Sequence, residues 1–331
     1  MWGTMGFVYD MDKVKLEDVS TWDILWNEDY AKKSTAKNSV HDTYVAGVMH
    51  VYKEELLELK TNYEASNKTA EDKNYYNNKV TELMNRFDDE TLDKVEEALI
   101  KMKNNFYGFE VDNGKTDILG GTITINFAWG GDAVYSMDTA DEDGKVNLGY
   151  AIPEEGSNVF FDGWVMPKGA DTELAEDFLN FLCNPDTAAR NMNFIGYTSC
   201  IAGDEIWQLV NEWYSVEEGE EGYEVDLSYF FKGTIAEENL TNGKALITVY
   251  ERGRQFDAQY PTEEVLLRCG VMKDFGDQNS KVLLMWENVK CGEIGPWLWI
   301  GFAMILLVLA VFVVYQIQLN NKRNRKRRFQ R

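Results

Sequence analysis

The sequence predicts an α/β fold with one membrane-spanning helix at its C-terminal end, on three observations. Short β-rich runs alternate with amphipathic helical stretches ahead of residue 292, which argues for a sheet architecture over a helical bundle or a β-sandwich. Residues 294–321 then carry no charge, and the stretch 297–315 is almost wholly apolar, about the thickness of a bilayer's hydrocarbon core at ~1.5 Å of rise per residue. Trp297, Trp299 and Tyr315 stand near its two ends, where aromatic rings prefer the headgroup zone. Third, seven basic residues between Lys322 and Arg331 follow it and place the C-terminus inside by the positive-inside rule, with the rest of the chain outside. A tail-anchored cytoplasmic protein is the weaker alternative, because it would carry those seven charges across the membrane.

Each element has a local reason. Residues 6–9 (Gly-Phe-Val-Tyr) read as a strand, and residues 44–59 as a helix. Leu92, Val95, Leu99, Met102 and Phe106 recur at steps of three and four, so they form one apolar helical stripe. The acidic run Asp88-Asp89-Glu90 suits that helix's N-terminus. Residues 122–129 are a β-rich run ending in Trp129-Gly130-Gly131-Asp132, where a helix can begin, and ligands of α/β proteins gather at such carboxyl ends of strands. Residues 145–152 and 159–166 read as two further strands. Leu174, Phe178, Phe181 and Leu182 mark one face of a helix that Asn184-Pro185 ends. The glycine-punctuated acidic run 217–222 reads as a surface loop.

Composition narrows the function. The net charge of −23 includes seven positive charges in the tail, so the remainder carries −30; this disfavours nucleic acid and fits either cationic ligands or simple surface solubility. Four cysteines (Cys183, Cys200, Cys269, Cys291) form no Cys-x-x-Cys pair and accompany only two histidines, which argues against zinc. Their spacing leaves open whether any pair is bridged, with buried free thiols as the default. The chain carries no phosphate-binding loop, nucleophile elbow, His-Glu-x-x-His or dinucleotide fingerprint, so neither enzymatic chemistry nor a cofactor is expected.

Several segments, read in order, resemble one family. They are Trp2-Gly3-Thr4-Met5-Gly6, Tyr9-Asp10, Thr21-Trp22-Asp23-Ile24-Leu25-Trp26, Asn38-Ser39-Val40-His41-Asp42-Thr43-Tyr44, Ala128-Trp129-Gly130-Gly131-Asp132, Pro153-Glu154-Glu155-Gly156, Phe160-Phe161-Asp162, Asn184-Pro185-Asp186 and Ile195-Gly196-Tyr197-Thr198-Ser199. Over roughly residues 1–205 their order resembles the extracytoplasmic spermidine/putrescine-binding proteins of ABC importers (the PotD type). That resemblance implies a type II periplasmic-binding-protein fold, in which two α/β lobes joined by crossing strands clamp a polyamine. Measured against it, the second lobe comprises residues 1–158 and 205–292. Residues 159–204 are then a remnant of a first lobe that is largely missing together with its export signal, 294–319 are the membrane helix and 320–331 the cytoplasmic tail.

The ligand dictates the chemistry of such a site. Protonated amines on a flexible methylene chain are held by aromatic faces through cation–π attraction, about 0.5–2 kcal/mol per contact, and by carboxylates that fix the register. The resemblance implies Trp129 as an aromatic wall, Phe160 at a second aromatic position, Asp162 as an amine ligand, Asp42 as a carboxylate of the second lobe, and Ser39 at a position that is often acidic. Met272 falls where the family can use a glutamine. From the residues alone, Trp129 and Phe160 equally read as core packing, Asp162 as a turn former and Asp42 as a helix N-cap. Alternation along residues 159–166 puts Phe160 and Asp162 on one face.

The expected function is therefore the membrane-anchored, extracellular solute-binding component of a polyamine ABC importer, partnered by permease and ATPase subunits. With most of one lobe absent, the isolated chain is expected to bind spermidine or putrescine weakly or not at all. A binder of another small solute is the nearest alternative, and a membrane-tethered interaction or sensory module, or a gene fragment without transport activity, is the alternative from another class.

Overall fold

The computed structural model describes residues 1–217, 219–291 and 303–317. Its organising element is β1, Trp2–Asp10, nine residues that are all buried. The strand extends in both directions beyond the expected residues 6–9. It pairs antiparallel with β4 (Ile125–Trp129), from Met5 opposite Trp129 to Tyr9 opposite Ile125. Two further strands, β5 (Leu148–Ala151) and β6 (Ser157–Phe161), run in succession antiparallel to its C-terminal and N-terminal halves. Short β2 (Ser34–Lys37) lies parallel to β4 and to β3 (Gly108–Glu110), and β6 lies parallel to β9 (Cys269–Gly270). The sheet therefore reads β3-β2-β4-β1-β6-β9, with β5 beside β1; β7 (Tyr223–Asp226) and β8 (Leu246–Val249) form a separate hairpin.

Helices cover this sheet where the periodicity places them, with adjusted ends. The stripe of Leu92, Val95, Leu99 and Met102 lies on helix Asp89–Asn105, whose N-cap Asp88 accepts a hydrogen bond from the Thr91 backbone. The single helix expected at 44–59 is two, Val40–Val51 and Lys53–Glu64, separated at Tyr52. The strand expected at 159–166 ends at Phe161, and that at 122–129 begins only at Ile125. Asn184 does end helix Thr172–Cys183, but Pro185 opens the next one, Pro185–Ile195. Proline is well suited to a first helical position, where its missing N–H costs nothing. The apolar face of helix Thr172–Cys183 is uncovered: Leu174, Phe178 and Phe181 are all exposed, as are Phe161, Trp164 and Phe194 nearby in sequence.

Among the buried clusters that hold these layers, two are rich in aromatic rings. In one, Phe7 of β1, Phe127 of β4 and Trp22 pack edge-on, with Trp22 5.1 Å from Phe7 and 5.0 Å from Phe127, and the Trp22 indole donates to the Gly156 carbonyl at 2.8 Å. The other gathers Trp2, Met192, Trp207, Tyr214, Phe231, Phe256 and Tyr260. It folds residues 205–260, whose sequence carries little of the family resemblance, around the N-terminal end of β1 through helix Asp204–Tyr214 and the β7–β8 hairpin. Of the cysteines, only Cys269 is buried; the other three are exposed and all four are free. The acidic run 217–222 is a loop, in which residue 218 lies outside the described residues.

Residues Met1–Met285 form one compact unit and Trp286–Arg331 another. The expected membrane span, 294–319, is described only over 303–317, which are helical with every residue exposed. Residues 294–302, 318 and 319 and the basic tail 320–331 lie outside the described residues. Among the described residues no helix is long and apolar enough to cross a membrane.

Deleting a ring from the first core tests the packing. Phe127 is fully buried between Phe7 and Trp22, so Phe127→Ala is expected to lower the unfolding free energy by about 3–5 kcal/mol in urea denaturation.

Candidate functional site

The sheet's strand ends converge on a cleft of about 440 Å³ lined by Asp42, Trp129, Asn158, Phe160, Asp162, Tyr197 and Met272. Trp129 is the last residue of β4 and sits immediately before helix Gly130–Asp143. Phe160 and Asp162 arrive two residues apart on β6 and its continuation; Phe161 between them is exposed. Although the regular strand stops at Phe161, the Asp162 backbone N–H still donates to the Met1 carbonyl at 2.7 Å. That bond carries the alternation one residue past the last strand pair, so Phe160 and Asp162 share the cleft.

Local chain chemistry shapes the walls. Gly3 faces Phe160: a Cβ there would stand 3.1 Å from the ring. At Gly131 a Cβ would fall 2.0 Å from the Tyr197 ring, so only glycine lets that ring lie on the helix's first turn. Tyr197 is fixed by donating its hydroxyl to Asp132 Oδ1 at 3.2 Å, and burial followed by the Asp132 charge raises its pKa well above the usual phenol value.

Asp42 is not the helix N-cap that its sequence position allows. Ser39 is: its hydroxyl accepts from the Asp42 backbone N–H at 3.4 Å, which makes Asp42 the third residue of helix Val40–Val51. Ser39 does not line the cleft. The Asp42 carboxylate is buried, and desolvation lifts its pKa above the usual carboxylate value, opposed by the Ser39 hydrogen bond and by the Lys37 charge. Asp162, by contrast, is mostly exposed at the rim. The cleft thus has one desolvated carboxylate inside and one hydrated carboxylate outside, with Trp129, Phe160 and Tyr197 as its rings.

Two groups escaped sequence reasoning. Lys37, the last residue of β2, is buried with its ammonium 2.7 Å from Glu110 Oε1, 4.0 Å from Asp132 Oδ2 and 4.2 Å from the centroid of the Trp129 ring. Lys115 completes the charge balance at 3.0 Å from Asp132. One indole face is therefore already occupied by a cation of the protein itself, and this braces the ring. A lysine ending the strand Ser-Thr-Ala-Lys, level with Trp-Gly-Gly-Asp, is the only signal for it. Asn158 is the second group: it is buried on β6 and neither of its side-chain polar atoms has a partner. Nothing in the sequence marks it, since an asparagine between Ser157 and Val159 reads as ordinary strand.

Rings and carboxylates gathered at strand ends give the cleft the groups of a ligand-binding site. The chain belongs to the bacterial extracellular solute-binding protein family, whose profile matches residues 1–203; these are non-enzymatic binding proteins. It is 28% identical over 207 residues to the putrescine-binding periplasmic protein PotF of Escherichia coli, a match covering 60% of this chain and 50% of that protein. It is 24% identical over 205 residues to a putrescine/agmatine-binding protein of Pseudomonas aeruginosa, covering 60% and 49%. The chain spans about half the length of these curated relatives. In fold it is similar to a putative spermidine/putrescine ABC transporter protein from Listeria monocytogenes, with TM-score 0.58 at 17% identity over 88% of this chain and 67% of that one. The PotD substrate-binding protein of Streptococcus pneumoniae superposes with TM-score 0.55 at 20% identity over the same shares.

The buried Lys37–Glu110 pair makes a direct test of how the Trp129 wall is held. Lys37→Met leaves Glu110 buried without its counter-charge and is expected to cost about 3–5 kcal/mol of stability in urea unfolding. The double variant with Glu110→Gln is expected to recover much of that loss.

Proposed function

We propose that the cleft is one wall of a polyamine site and that the chain is the solute-binding component of a polyamine ABC importer. The observation that carries this reading is the meeting, around one opening, of two carboxylates and three aromatic rings drawn from four separate parts of the chain. A protonated amine on the free face or edge of Trp129 gains cation–π attraction, and the methylenes cover Phe160 and Met272. Asp42 and Asp162 take charge-assisted hydrogen bonds from two amines, the inner one replacing the solvation that Asp42 loses on burial. The putrescine-binding relatives support this choice of solute over a sugar or an anion.

Affinity in a two-lobe binder comes from closing both walls on the ligand. The uncovered apolar surface of Phe161, Trp164, Leu174, Phe178 and Phe181 fits contact with an opposing lobe, residues 159–204 belonging to that side of the protein. Isothermal titration with putrescine and spermidine tests the reading, on the full chain and on a chimera in which the unmatched half of the E. coli putrescine-binding protein supplies the second wall. Weak or no binding is expected from the chain alone and clear binding from the chimera, with Trp129→Ala and Asp162→Asn each reducing the affinity roughly 2- to 30-fold. Because Asp42 must ionise to hold an amine and its pKa is raised, affinity should climb as pH rises through the acid range. A chimera that binds equally well with and without Trp129 and Asp162 would sink the proposal.

Residues 303–317 serve, on this reading, as part of a single-pass anchor holding the binding unit at the outer face of the cytoplasmic membrane. The support is that a helix apolar on every side and exposed along its whole described length presents the surface that a lipid environment covers. Tethering raises the effective concentration of the binder at its permease. Alkaline carbonate extraction of cell membranes should leave the full chain in the pellet; release into the supernatant would overturn the anchor.

A further inference from the structure

A second cavity, of about 280 Å³, opens between helices Gly130–Asp143, Asp204–Tyr214 and Gln255–Gln259 and shares no lining residue with the cleft. Trp213, Tyr214 and Tyr250 wall it, and Asp138 and Gln255 supply its polar side. Gln255 is only 7% exposed. Its Nε2 donates to Asp138 Oδ1 at 3.1 Å and to Asp141 Oδ2 at 2.9 Å. That fixes the amide's orientation, because the flipped amide would point its oxygen at two carboxylates. The Oε1 atom is consequently left as a buried acceptor with no partner among the protein's own groups, an arrangement that favours a ligand bearing a hydrogen-bond donor.

The arginines nearby are paired with other carboxylates. Arg254 is committed to Asp141 at 2.5 Å and Glu251 at 3.5 Å, and Arg252 to Asp257. Among the described residues no lysine or arginine forms an ion pair with Asp138. Desolvation, with Asp141 and Glu142 close by, holds the Asp138 carboxyl above its usual pKa against the Gln255 hydrogen bond and the Arg254 charge, and a bound cation would lower it further. The Tyr214 hydroxyl is spent on Gln259 Oε1 at 2.6 Å, so this residue contributes its ring and not a donor. Rings, one carboxylate outside any described ion pair and one buried acceptor make a cage for a positive group that also donates hydrogen bonds.

We propose that this cavity is a second organic-cation site that takes a single small primary ammonium group, independent of the polyamine cleft. Methylammonium is the probe and tetramethylammonium, equal in charge but without a donor, its control. Saturation-transfer NMR on the full chain in detergent is expected to show saturable methylammonium binding, with tetramethylammonium at least about tenfold weaker. Asp138→Asn, a near-isosteric change at an open position, and Trp213→Leu should each weaken methylammonium by about tenfold or more, with circular dichroism confirming that both variants are folded. Glu97→Gln, on the exposed face of helix Asp89–Asn105, should leave methylammonium binding as it is. The proposal is overturned by an absence of saturable binding, by tetramethylammonium binding as tightly as methylammonium, or by full binding in both Asp138→Asn and Trp213→Leu, which would place the ammonium outside this cavity.

Discussion

The rest of the structure depends on β1. A strand with all nine residues buried must satisfy its backbone N–H and C=O groups along both edges, because no water can reach them. Pairing with β4, β5 and β6 does so, and the same registers deliver side chains that line the cleft. Met5 opposite Trp129 sets where the indole wall stands, and Trp2 opposite Phe161 sets where Phe160 and Asp162 emerge. A slip of one residue would turn Phe160 and Asp162 to the opposite face together. Site geometry here is a by-product of backbone hydrogen bonding and is as rigid as the sheet.

Charge compensation is the second constraint. An acidic protein with carboxylates in its cleft must keep the buried ones from repelling each other. Lys37 and Lys115 do this for Glu110 and Asp132 behind Trp129, while the desolvation of Asp42 is offset only in part, by hydrogen bonds from Ser39 and Trp129 and by the Lys37 and His41 charges. The acids behind the wall are thereby paired, whereas Asp42 in front of it has no ion pair among the described residues. On the proposed reading, that asymmetry favours a cationic ligand on the open side of the ring. It would be invisible in a count of acidic and basic residues.

Legibility followed the range of the physics. Helix Asp89–Asn105 and its Asp88 cap were readable because a 3.6-residue stripe and a cap are local. The split at Tyr52 was not, since both halves continue good helical sequence and only packing decides the break. Strand ends were misplaced at residues 122–124 and 162–166 because β-propensity does not say where a partner strand stops. Of the candidate residues, Trp129, Phe160, Asp162 and Asp42 came from resemblance and do line one cleft, whereas Ser39 proved to be the cap that Asp42 was considered for. Asn158 and Lys37 gave almost no signal, because what distinguishes them is their burial and their partners.

By itself the sequence determined the α/β class, the family to which the first two hundred or so residues belong, the acidic character and the apolar C-terminal run, since these follow from composition, short-range periodicity and motif order. Only the tertiary structure decided that residues 205–260 build a second aromatic core around Trp2, that the apolar face of helix Thr172–Cys183 lies uncovered, and that a lysine, not a ligand, occupies one face of Trp129. The physical reason is common to all three: each is a contact between groups far apart in the chain, and the energy of such a contact depends on distance in space, which strand register and helix packing set together.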